Sequence, residues 1–148
     1  MYIVIKFLHL VSAVVWLGGM AFMLFALRPA LGEHLAPPQR LPLLAGVLRR
    51  FFRWVWAAIA VLLLSGAYML GHAGAQAMPL GWHLMAGLGL LMSLIFGHLY
   101  FAPYRRLQAA VAAADWPQGG HHAGQIARLA TVNFCLGWLA IAAITFLA

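Results

Sequence analysis

Apolar residues run through this chain in four long blocks, at about 2–30, 46–71, 79–102 and 125–148, and the polar residues collect between them. No charge interrupts Phe7 to Leu27 or Trp54 to Leu70. At 1.5 Å of rise per residue, each block can cross a hydrocarbon core of about 30 Å as a helix. The pattern predicts an all-α integral membrane protein: one four-helix domain over residues 1–148, an up-down bundle in which short loops make sequential helices antiparallel neighbours. Arg28-Pro29 is expected to close the first helix, and Gly32, Pro37, Pro38 and Pro42 to mark a loop. Gly71 to Pro79 reads as a short connection, Pro103 to Arg106 as the end of the third helix, and Asp115 to His122 as a polar lead into the last.

Composition supports the same class: of 148 residues, 66% are hydrophobic and 7% charged. The formal net charge is +7, but the arginines lie beside apolar spans and form no solvated basic face, so a nucleic-acid partner is not expected. Arg28, Arg40, Arg49, Arg50, Arg53, Arg105, Arg106 and Arg128 all fall on the side of the two longer connections, against Lys6 and the amino terminus on the other. The positive-inside rule then makes those connections cytoplasmic and turns both termini outward. The single cysteine, Cys135, excludes an internal disulfide and a Cys-x-x-Cys-His haem attachment. Glu33 and Asp115 are the only acids and both lie between spans, which argues against acid–base hydrolysis, a carboxylate proton relay and a hard-cation site; no catalytic residue is assigned.

Chemistry is therefore sought among the few polar groups inside the spans. His9, Trp16, Met20 and Met23 are spaced by seven, four and three, which sets them on one helical face. A histidine two turns into such a segment is a functional-site candidate by default, with a hydrogen-bonded packing role as the alternative. Taking residues 15, 61, 91 and 137 as midpoints, His9 lies about 9 Å and His83 about 12 Å to the outer side of centre. His72 and Met69 fall at that same end, with Met78 and Met85 beside His83. Imidazole and thioether suit monovalent copper, and neutral ligands match its single charge; gap-filling methionines are the plain alternative. Toward the inner side His98 lies about 10 Å from centre, and Asn133, on the same side but nearer the middle, is a candidate to orient its ring, with a hydrogen bond to a backbone carbonyl as the alternative. Met92, Met20 and Met23 could form a path between the two levels. Gly18-Gly19, mid-span, lets a neighbouring helix or a flat cofactor approach.

Several of these residues are shared with known families. Lys6-x-x-His9, Trp16-x-Gly18-Gly19, Leu27-Arg28-Pro29-Ala30-Leu31, Arg50-Phe-Phe, Ser65-Gly66 and Phe96-Gly-His98-x-Tyr-Phe101 resemble the copper-resistance protein D (CopD) family over nearly the whole chain. That resemblance implies copper handling, as transport or resistance, in a bacterial inner membrane; the charge bias then puts both termini on the periplasmic side, and a periplasmic copper carrier or a second copy of the chain are the candidate partners. The chain is also similar to HemJ-type protoporphyrinogen oxidases, four-helix membrane proteins that bind b-type haem, through His9 with Trp16-Leu-Gly18 and through Trp82-His83-Leu-Met85. It departs from them in having methionine near their third-helix lysine and in lacking their Arg-x-x-Asn-Glu-x-Pro; Arg128 and Asn133 stand at a different spacing.

Three readings follow. In the first, a copper-handling protein binds Cu(I) through His9, His83, His72 and Met85 and passes it to His98, with copper as cargo. In the second, a haem b redox protein uses His9 and His83 as axial ligands and Trp16 against the macrocycle. In the third, the chain is a non-catalytic membrane subunit and His9 only packs.

Overall fold

The computed structural model describes residues 1–74 and 78–148. Four helices account for nearly all of them: α1 (Tyr2–His34), α2 (Pro37–Ala73), α3 (Leu80–Ala112) and α4 (Trp116–Phe146), each long and apolar enough to cross a membrane. There is no strand among the described residues. Side chains such as Ile3, Phe7, Val14, Phe25, Leu64, Leu94 and Trp138 stand exposed on the outside of the bundle, the inverse of a water-soluble surface. With lipid as solvent this is the expected arrangement, because an apolar exterior costs nothing there while every backbone N–H and C=O must be paired inside a helix.

The helices are longer than the apolar blocks. At 33 residues, α1 and α3 each rise about 50 Å and project well beyond a hydrocarbon layer of about 30 Å. The segments expected to be loops at the arginine-bearing end are helical, and proline explains how. Pro37 and Pro38 open α2, where a missing N–H leaves no intrahelical bond unmade, and they hold Ala36 extended ahead of them (φ −70°, ψ 156°). Pro29 and Pro103 do not end their helices either. Each is accommodated at a wide π-turn, Met23–Leu27 in α1 and Tyr100–Tyr104 in α3. The first is closed by the Arg28 N–H reaching back five residues to the Met23 carbonyl, which absorbs the proline's missing donor and the crowding behind its ring.

The connections are correspondingly tight. Leu35 and Ala36 alone separate α1 from α2. Gly74 ends α2 at φ +76°, a conformation glycine adopts without cost. Between α3 and α4 the chain turns through Ala114 at φ +53°, and Asp115 caps α4 by accepting from the Gln118 N–H (3.3 Å).

Packing is most extensive within two antiparallel pairs, α1 with α2 and α3 with α4. Small residues allow it. Gly19 admits the Phe51 ring between α1 and α2, Gly137 admits Leu17, and at Gly81 any side chain would strike the α4 backbone near Leu147. The Gly81 N–H also donates to the Leu147 carbonyl (3.0 Å), which ties the ends of the second pair together. The two pairs meet at an aromatic cluster. Phe52 of α2 packs edge-on against Phe96 (5.2 Å) and Tyr104 (4.9 Å) of α3, Trp56 adds contacts to Phe96 and Tyr100, and Trp16 of α1 reaches Phe96 at 6.2 Å.

Candidate functional site

His9 lies two turns into α1, half-buried against α2, with Nδ1 2.8 Å from Ser65 Oγ. The Ser65 hydroxyl has one proton, and it points back along its own helix to the Val61 carbonyl, with the Leu62 carbonyl 3.2 Å away. With that proton used, the oxygen toward His9 can only accept. With the hydroxyl turned that way the hydrogen of the pair sits on Nδ1, and no hydrogen bond to Nε2 is formed among the described residues. A neutral imidazole held through one nitrogen and open at the other is the form in which histidine binds metals. Gly66, next in line, keeps the wall beside the ring low: a side-chain carbon there would stand 3.7 Å from His9 Cε1.

The seam between α1 and α2 continues upward from this pair. His72 is two turns beyond Ser65, as Tyr2 is two turns before His9. The His72 ring stacks on Tyr68 (5.9 Å, 7° between planes) and lies 5.7 Å from the Tyr2 ring. The seam thus carries an exposed imidazole near its end and a half-buried one about 10 Å deeper.

The other candidates stand on α3 and α4. His83 is exposed on the first turn of α3 and Met85 is half-buried just below it. His98 is exposed on the same helix, toward the arginine-bearing end. Met92, Met20 and Trp16 are buried in the core, and Met23 is half-buried beside them. Asn133 is fully buried, and its amide N–H goes to the Met92 carbonyl (3.0 Å), not to His98, so what it fixes is the α3–α4 contact. Among the described residues no three His, Cys, Asp or Glu side chains are grouped as a metal site. Gln76 and its two neighbours, within the expected Gly71–Pro79 connection, lie outside the described residues.

A cavity of about 50 Å3 occupies the core where the two pairs meet. Trp16, Met20, Met23, Phe52, Phe96 and Asn133 are among its walls. Trp16 lines this space and is packed on Phe96, and His9 forms no part of its wall.

Ser65 is the partner that a reading by composition passes over, since serine is common in membrane helices. The same depth estimate that ranks the histidines would have found it: Ser65 lies about 6 Å outward of its helix midpoint, within about 3 Å of the level of His9.

Comparison with known families decides the class. The profile of Copper resistance protein D (CopD) matches residues 45–147, which takes in α2 from Ala45 onward, α3 and α4. The chain belongs to the CopD family. No curated protein and no solved structure matches it. This CopD-family chain is thus a multi-pass membrane protein from a family named for copper resistance. Its matched region contains Ser65, His72, His83, Met85, Met92, His98 and Asn133, while His9, Trp16, Met20 and Met23 come from the helix outside it.

Proposed function

We propose that this CopD-family protein handles copper as Cu(I) cargo in a bacterial inner membrane, and that His9 is its principal outer ligand. The observation that carries the reading is the His9–Ser65 hydrogen bond, which engages Nδ1 and holds the ring in the α1–α2 seam that also carries His72 two turns above. A metal ligand requires one ring nitrogen held and the other open, which a single hydrogen bond to Ser65 allows. His72 collects the ion at the rim and His9 receives it two turns down, with His83 and Met85 of α3 as further donors at that level. His98 takes it on toward the other end. The concentration of arginines at that other end orients the chain with both termini in the periplasm.

The reading is tested with the full chain in proteoliposomes, following Cu(I) uptake under reducing conditions. His9→Ala is expected to lower the initial rate by about tenfold or more, and His72→Ala and His83→Ala by less. A His9→Ala variant that folds and transports as the parent does would overturn it.

A further inference from the structure

Two arginines at the arginine-bearing end differ from the rest in their setting. Arg28 of α1 and Arg40 of α2, on either side of the tight Leu35-Ala36 connection, both line a cleft of about 310 Å3. Arg49, Arg50, Arg53, Arg105 and Arg106 belong to the same end of the molecule but form no part of this wall.

The cleft has donors and no acceptors. Its remaining side chains are those of leucine, proline and alanine, and Gly32 and Gly120 contribute none, so no side chain of the wall accepts a hydrogen bond or offsets the two charges. Two guanidinium groups on one concave surface repel each other and are stabilised by an anion between them. Phosphate oxygens match the planar N–H fork best. There is room for such a group: a side-chain carbon at Gly32 or at Gly120 would meet nothing within 4 Å.

Depth selects the source of the phosphate. Counted from residue 15 as the midpoint of the first span, Arg28 lies about 20 Å from the bilayer centre. Hydrocarbon ends at about 15 Å and the headgroup layer at about 20–22 Å, which sets Arg28 level with the lipid headgroups. By the positive-inside rule this end is cytoplasmic, and anionic lipids give that leaflet its negative potential. Arg28 is also the one charged side chain on the wall of the core cavity, so an anion in the cleft offsets the fixed charge that the cavity meets.

We propose that the cleft between Arg28 and Arg40 binds the phosphate headgroup of an anionic phospholipid. The inference goes beyond the copper reading and does not rest on it, since it needs neither His9 nor a metal.

The test uses the full chain, purified in nonionic detergent and stripped of lipid. It is titrated with phosphatidylglycerol, phosphatidylcholine or inorganic phosphate, with bound lipid counted by native mass spectrometry and Tm followed in parallel. The parent should retain a phosphatidylglycerol that phosphatidylcholine does not replace, and should melt higher with it. Arg28→Gln with Arg40→Gln should weaken that binding by about tenfold or more, whereas Arg105→Gln with Arg106→Gln, the same charge lost from the same end, should change it by less than about twofold. Gly120→Leu keeps both arginines, favours the helix and occupies the cleft, so it should weaken binding while the lipid-free chain stays at least as stable. Equal weakening by the two arginine pairs would overturn the site in favour of diffuse interfacial charge. A parent that holds the two lipids alike would overturn it as well. Inorganic phosphate that displaces phosphatidylglycerol and raises Tm by itself would reassign the cleft to a free phosphate and overturn the lipid.

Discussion

Within hydrocarbon a histidine ring must find an acceptor for its N–H, and Ser65 supplies one to His9 at 2.8 Å while its own proton stays on its helix. Ser65 is therefore a positioning residue. Ser65→Ala should keep His9 but free its ring and its tautomer, lowering Cu(I) affinity by about 10-fold to 100-fold in competition against a chromogenic chelator. Ser65→Thr retains the hydroxyl and should retain most of the affinity. Asn133 behaves oppositely with respect to stability. Its single hydrogen bond is worth about 0.6 kcal/mol in a membrane interior, while an unpaired buried oxygen costs about 1–3 kcal/mol. Copper-free Asn133→Leu should accordingly unfold no more readily than the parent, and up to about 2 kcal/mol less readily, in thermal denaturation. Asn133→Asp, which buries a charge in the same place, should be clearly less stable.

At the level of helices, the four spans were legible because lipid imposes a simple requirement: a stretch without charge, long enough to cross. Their lengths were not legible. Pro29, Pro37, Pro42 and Pro103 read as breakers, yet two of the helices pass a proline at a π-turn and α2 starts on one. The site divides in the same way. Depth follows from rise per residue, so His9, His72 and His83 could be assigned to one end. Rotation about each helix axis does not follow, so the partner of His9, the exposed setting of His98 and the bond from Asn133 to Met92 emerge only from packing. The turn between α3 and α4 supplies a prediction at this scale. Ala114 holds φ +53°, a left-handed conformation that costs a residue with a Cβ about 1–2 kcal/mol. Ala114→Gly should raise stability by about 1 kcal/mol in the same denaturation assay, with copper binding unchanged.

Taken whole, the molecule is two helix pairs with different duties. The α1–α2 pair carries His72 and His9 along one seam, and the α3–α4 pair closes the core around Asn133. The arginines crowd the end away from the termini, and Arg28 stands between the core cavity and the cleft at that end. On the proposed copper reading, a cation would start among neutral soft donors and meet positive charge at the far side, so its directional movement would need either a counter-charge or a carrier at the exit. The account turns on whether copper is what the neutral His9 nitrogen holds. The most direct measurement is the metal content and visible spectrum of the purified chain, parent and His9→Ala, after Cu(I) loading and removal of excess metal. The account predicts stoichiometric copper in the parent, a colourless protein in both redox states, and loss of the His9-dependent copper in the variant. A Soret band that sharpens on reduction, or a protein that retains no copper, would contradict it.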